Sequence, residues 1–258
     1  MGFKRLNHIL LTHGHLDHIL GLAGLMSTFM RWEAIDEVNI YGSRHTLDRV
    51  DDLVNGVVLR GTKPPMPINL LEIKPGLIFT AERFKITAFE VDHRGSDSLG
   101  FCFEEFPRRP FLPEKAEALE IPPGPWRKDL VAGKFISLPD GRTINPEDVL
   151  GPERVGTKLV VVGDVGKPHK LLEHICDADG LVIEATYIMN ESELASQFGH
   201  STAAEVANLA LEGHVKNLYL THISRRYRDQ DIKEEAEAIF PNSFVARDFD
   251  TYQVKHED

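Results

Sequence analysis

Four ligand-type side chains fall within six residues at His13-Gly14-His15-Leu16-Asp17-His18, three imidazoles and a carboxylate with small or apolar spacers. Neutral imidazole nitrogens at about 2.1 Å and carboxylate oxygens are suitable donors to zinc or a similar divalent ion. So many donors pointing in divergent directions exceed what one tetrahedral ion with an open position accepts, which implies two ions. A pair of ions about 3.5 to 4 Å apart polarises a phosphoryl oxygen and generates hydroxide at neutral pH, so hydrolysis is the chemistry to expect. His93, Asp164 and His222 each follow an apolar run and could complete such a pair. Taken singly, each also reads as a polar residue ending a strand or turn. Their common position after predicted strands singles them out.

The elements that must position these residues are partly readable. The run 5–12 predicts a strand delivering the histidine cluster. Ile19, Leu22, Ala23, Leu25, Met26, Phe29 and Met30 then repeat at helical spacing, followed by a strand over 38–41. Ser43 is placed to cap a helix that reaches about Leu59 and ends at Gly61. Strands are predicted at 68–73, 77–80, 84–91 and 98–105. The proline-rich stretch 107–140 interrupts them as a protruding arm of proline-bounded turns around one short helix, Pro113–Leu119. Beyond it come strands at 158–162, 181–184, 217–221 and 244–247, alternating with helices at 168–176, 202–212 and 229–239. Ser201 is the expected N-cap of the helix after His200. Strands alternating with helices, with no separable linker, favour one α/β domain of two layered sheets with helices outside.

The chain has 258 residues, 42% hydrophobic and 27% charged, the composition of a folded globular protein. No run approaches the roughly 18 apolar residues of a membrane span, and the charged opening lacks the apolar centre of a signal peptide. A cytoplasmic location with no membrane partner is expected. Cys102 and Cys176, far apart and in apolar contexts, read as buried thiols. With 29 basic and 40 acidic residues the net charge is −11, so any nucleic-acid contact must be a local patch. One such patch is evident: between Pro107 and Lys134 there are six basic residues and four acidic ones.

The order His13-x-His15-x-Asp17-His18, then His93, Gly163-Asp164 and Thr221-His222, resembles the metallo-beta-lactamase superfamily. Ile121-Pro-Pro-Gly-Pro125, Asp140-Gly-Arg, Pro146-Glu-Asp-Val-Leu-Gly151, Glu184-Ala-Thr, His200-Ser-Thr, Thr221-His-Ile-Ser and Arg226-Tyr narrow the resemblance to the tRNase Z (ribonuclease Z) family. The resemblance implies an αββα sandwich of two mixed sheets and two Zn2+ per chain, with Mn2+ as the other candidate. It assigns His13, His15 and His93 to one ion, Asp17, His18 and His222 to the other, and Asp164 to both. It gives Asp17 the task of orienting or deprotonating the attacking hydroxide, and His200 with Glu184 that of protonating the departing 3′ oxygen. It also implies removal of the 3′ trailer from precursor tRNA, and a homodimer. Within the arm, Arg108, Arg109, Lys115, Arg127, Lys128 and Lys134 become candidate tRNA contacts, with Arg226 a further one near the active site.

The chain departs from the family pattern in three places. The first histidine motif comes early, so the domain, 1–258, reads as shortened at its N-terminus with the arm 107–140 inserted in it. Ile183 precedes Glu184 where the family usually has histidine, and Val165-Gly166 follow the bridging aspartate. A hydrolase of small phosphodiesters and a catalytically impaired tRNA-binding homologue are the competing readings.

Overall fold

The structure is a computed structural model that describes residues 6–32, 35–95 and 97–256. Residue 5 of the first expected strand lies outside them. The opening strand is short, β1 (His8–Leu10), and leads into α1 (Leu16–Ile19) and α2 (Gly21–Trp32). After β2 (Val38–Gly42), α3 (Arg44–Asp51) starts as the sequence suggests, with the Ser43 hydroxyl accepting from the Thr46 N–H at 3.4 Å. The remainder of that expected helix widens into a π-helical stretch, Asp52–Leu59. Its closing bond, Arg60 N–H to Asn55 O at 3.0 Å, spans five residues, and Arg60 and Gly61 at φ 45° and 82° end it. β3 (Ile68–Glu72) completes a parallel sheet of order β1-β2-β3. Leu22, Met26 and Phe29 of α2 are buried in the core over this sheet, with Val38, Ile40, Val50 and Val54.

A second, seven-stranded sheet begins with β4 (Gly76–Thr80), β5 (Phe84–Val91) and β6 (Ser98–Glu105). Strand alternation explains how one sheet serves two cores. Ala88 of β5 and Leu99 and Phe101 of β6 pack with Leu10 of β1, in the interior of the sandwich. Their chain neighbours Phe89 and Cys102 belong to the core under the outer helices.

The chain divides into two compact units, the larger comprising residues up to Glu104 and those from Lys158 to Lys255. The smaller, Glu105–Thr157 with His256, carries α4 (Pro113–Ala118), α5 (Pro125–Val131), β7 (Ile136–Ser137), β8 (Thr143–Ile144) and α6 (Pro146–Val149). It contains the expected helix and has a core of its own, in which Ala116, Ile121, Leu130, Ile136, Ile144 and Val149 are buried.

The larger unit resumes with β9 (Lys158–Val161), a 3-10 turn at Pro168–Leu171 leading into α7 (Leu172–Ile175), and β10 (Gly180–Glu184). Then come α8 (Ser192–Phe198), α9 (Ala203–Glu212), β11 (Leu218–Thr221), α10 (Asp229–Glu237) and β12 (Ser243–Val245). The sheet order is β12-β11-β10-β9-β6-β5-β4. β9 to β12 are parallel, whereas β9 with β6 and β5 with β4 are antiparallel. α9 begins one residue later than expected: Thr202, not Ser201, is its N-cap, because Glu205 three residues on completes a capping box. Cys102 is buried, but Cys176 is only half-buried.

Candidate metal centre

Parallel strands end on one side of a sheet, and the residues that follow β9, β10 and β11 collect there. Asp164 comes three residues after β9, Glu184 ends β10, and His222 comes directly after β11. His222 sits at φ 55°, a backbone region unfavourable for a residue with a Cβ and typical of positions held for function. The turn after β1 brings His13, His15, Asp17 and His18 to the same place, and β5 brings His93.

These residues form two donor groups joined at Asp164. His13, His15, His93 and Asp164 make one, and Asp17, His18, His222 and Asp164 the other, with donor atoms in each within 4.8 Å of one another. Asp164 is 2% exposed. Its Oδ2 lies 3.7 Å from His13 Nε2, 3.8 Å from His93 Nε2 and 3.3 Å from His18 Nε2, while Oδ1 lies 3.6 Å from His222 Nε2. One carboxylate thus faces both groups. His222 Nε2 and Asp17 Oδ2 are 3.3 Å apart.

The residues fit divalent cations on three counts. Among the described residues, His18 Nε2 and Asp164 Oδ1 are buried and have no hydrogen-bond partner. His15 Nδ1 is 3.1 Å from His13 Nε2 and 3.2 Å from His93 Nε2, so nitrogens converge where few protons are available to share. Outer partners also fix the rings. The Gly199 carbonyl accepts from His93 Nδ1 at 2.7 Å, and Thr186 Oγ1 lies 2.8 Å from His222 Nδ1. With those Nδ1 atoms protonated, each ring keeps its Nε2 lone pair for a cation.

Burial pushes the His13 imidazolium down to about 3, and burial likewise lowers His15 and His93. All three therefore stay neutral, the form that binds a metal. Burial alone would raise Asp164, but His18, His222 and His13 around its carboxylate hold it well below the usual carboxylate range. For His18, burial opposes protonation and the Asp164 carboxylate outweighs it, raising the pKa.

A third cluster joins His93, Glu184 and His200. The fully buried Glu184 accepts from His200 Nδ1 at 3.0 and 3.1 Å, from the Val165 N–H at 2.5 Å and from the Thr186 hydroxyl. Burial disfavours the charged imidazolium of His200, but Glu184 overrides it and raises the pKa. Because Nδ1 is committed to Glu184, Nε2 is the ring nitrogen left open to another partner.

Two glycines make these contacts sterically admissible. A Cβ on Gly163 would lie 2.7 Å from Thr12 Oγ1, itself 3.2 Å from His13 Nδ1. Gly199 has φ 68°, and a Cβ there would meet Arg94 Cγ at 2.5 Å. Gly163 appeared in the sequence only as part of the Gly163-Asp164 motif, and Gly199, Thr12 and Arg94 did not stand out. Only the Glu184-Ala-Thr motif hinted at Thr186.

The six candidate RNA-contacting residues of the smaller unit fall into two classes. Arg127 gives Nε and Nη2 to the Ile121 carbonyl at 3.0 and 2.7 Å, and Arg109 gives Nε to the Gly151 carbonyl at 2.9 Å, so both help hold the unit together. Arg108, Lys115, Lys128 and Lys134 have exposed side chains. Arg226 pairs with Glu191 at 3.0 Å, and the Tyr227 hydroxyl donates to the same carboxylate. No helix among the described residues is long and apolar enough to cross a membrane.

Residues 2–112 match the family model of the beta-lactamase superfamily domain. Ribonuclease Z of Bradyrhizobium sp. (strain ORS 278) is 47% identical over 253 residues, covering 98% of this chain and 84% of that protein. Ribonuclease Z of Gemmatimonas aurantiaca is 37% identical over 247 residues, covering 94% and 78%. The crystal structure of the short form of human tRNase Z superposes with a TM-score of 0.64 at 21% identity, covering 99% of this chain and 82% of that one, a likeness of fold. With a metal-type donor set on that fold and relatives this similar along almost its whole length, the chain belongs to the ribonuclease Z family of the metallo-beta-lactamase superfamily.

Proposed function

We propose that this chain is a zinc-dependent endoribonuclease that removes the 3′ trailer from precursor tRNA. The observation that carries the reading is the pair of four-residue donor groups sharing Asp164, in a chain of the ribonuclease Z family. His13, His15, His93 and Asp164 would hold one zinc, and Asp17, His18, His222 and Asp164 the other. When bound, such a pair lowers the pKa of water and offsets the charge that builds on the phosphoryl oxygens. Asp17, exposed at the mouth of the site, orients the nucleophilic water and takes its proton. His200, held at Nδ1 by Glu184, gives a proton to the departing 3′ oxygen. The raised pKa of His200 supports that role.

Arg108, Lys115, Lys128 and Lys134 are the phosphate contacts that seat the tRNA, contributing affinity and position more than sequence reading. The working form is a homodimer in the cytoplasm, where precursor tRNA is processed. The test is cleavage of a precursor tRNA bearing a 3′ trailer, after loading with zinc or with manganese, beside an Asp164→Ala control. A cut at the trailer junction that disappears in the control, with two ions per wild-type chain by elemental analysis, is the expected result. Turnover of a small phosphodiester without any cut in the RNA would replace this reading with a small-substrate hydrolase.

A further inference from the structure

Arg94 occupies an unusual position. It follows His93 directly and holds φ at 48°, a conformation that glycine adopts at less cost. Its aliphatic stem lies against Gly199, the residue before His200, so closely that a Cβ on Gly199 would come 2.5 Å from Arg94 Cγ. The side chain is exposed, and no hydrogen bond or ion pair engages it among the described residues. Four other basic residues of the larger unit are paired instead. Lys167 and Lys170 are both bound to Asp92 at 3.1 and 2.7 Å, Arg226 to Glu191, and Arg228 to Asp231. A guanidinium kept without a carboxylate partner beside a catalytic cluster, on a backbone that would favour glycine, has a side-chain task. Its charge also reaches His15 and His200, where it disfavours protonation.

We propose that Arg94 binds an RNA phosphate on the tRNA side of the cut, next to the scissile group. The side of the cut follows from His200. The oxygen it protonates leaves with the tRNA body, and Arg94 rests on the turn that carries His200, so the phosphate within its reach belongs to the 5′ strand. Guanidinium matches phosphate with two parallel N–H donors, and such charge-assisted bonds are the strong class. The assignment rests on the endoribonuclease reading above and adds a subsite to it.

The test compares the metal-loaded wild type with Arg94→Ala and Arg94→Lys by three measurements: kcat/KM on precursor tRNA, affinity for the trailer-free tRNA product across about 50 to 200 mM salt, and hydrolysis of bis(p-nitrophenyl) phosphate. Arg94→Ala is expected to lower both kcat/KM on the RNA and product affinity by about 10- to 100-fold. It should also make the slope of log affinity against log salt shallower by roughly one. The loss on the small diester should be clearly smaller, and Arg94→Lys should regain much of the RNA activity. Wild-type product affinity and salt slope in Arg94→Ala would overturn the assignment, as would equal losses on RNA and the small diester. A wild type that neither binds nor cuts precursor tRNA would instead overturn the endoribonuclease reading, and this assignment with it.

Discussion

Thr186 stands between the two halves of the chemistry. Its hydroxyl donates to Glu184 and lies 2.8 Å from His222 Nδ1, so one small side chain ties the His200–Glu184 pair to a candidate ligand. Replacing the hydroxyl with a methyl preserves shape but removes the partner of His222 Nδ1 and one of the donors that hold Glu184. Thr186→Val is expected to lower zinc affinity or turnover about 10- to 100-fold, measured by competition with a chromogenic chelator and by initial rates. Gly199→Ala acts through backbone and space together: it strains φ 68° and drives a methyl into Arg94, displacing the carbonyl that holds His93. A comparable loss of metal affinity is expected, with the melting temperature lowered as well; unchanged zinc affinity would show that the His93 ring is held by something else. The candidate ligands were legible in the sequence because their residue types are chemically narrow and their spacing is tight. Thr12, Thr186 and the Gly199 carbonyl were not, because hydroxyls and backbone carbonyls occur everywhere and acquire a role only through proximity.

At the level of elements, legibility followed length and periodicity. β5 and β6 match their predicted bounds because eight residues give the alternation time to register, with Ala88 and Phe89 facing different cores. The helix expected from Ser43 to Leu59 was right in extent but not in kind, since widening to a π-helix changes a hydrogen-bond register rather than an apolar pattern. β7 and β8 have two residues each, and α6 four, too short to carry a period at all. The cap of α9 turned on reading three residues ahead, where Glu205 selects Thr202 over Ser201. Thr202→Ala removes that cap and is expected to cost about 1 kcal/mol, a fall of roughly 2 to 4 °C in melting temperature by differential scanning calorimetry.

On the scale of the whole molecule, five imidazoles and two carboxylates gathered at one place make cation binding part of stability. Removing metal with EDTA leaves those donors, His13, His93 and Asp164 among them buried, without a cation to face. At zinc concentrations about a hundredfold above the dissociation constant, the bound form gains about 2.7 kcal/mol, so chelation should lower the melting temperature by roughly 5 to 10 °C. An unshifted transition would mean that the donor groups hold no ion under those conditions. The smaller unit supplies a second test. It has its own core, and a short turn joining Glu104 to Lys158 should leave a folded larger unit that still hydrolyses a small phosphodiester but has lost most of its affinity for precursor tRNA.

That joint carries a wider consequence. Glu104 and Lys158 are partners in the ladder between β6 and β9, and Glu105 donates to the Thr157 carbonyl at 2.9 Å. The excursion between them therefore begins and ends at adjacent points on neighbouring strands, as the loop of a hairpin does. An attachment of this kind is a cassette. Its length and surface can be exchanged by changes confined to one stretch of the gene, so a lineage can acquire a new clientele while inheriting the hydrolytic centre intact.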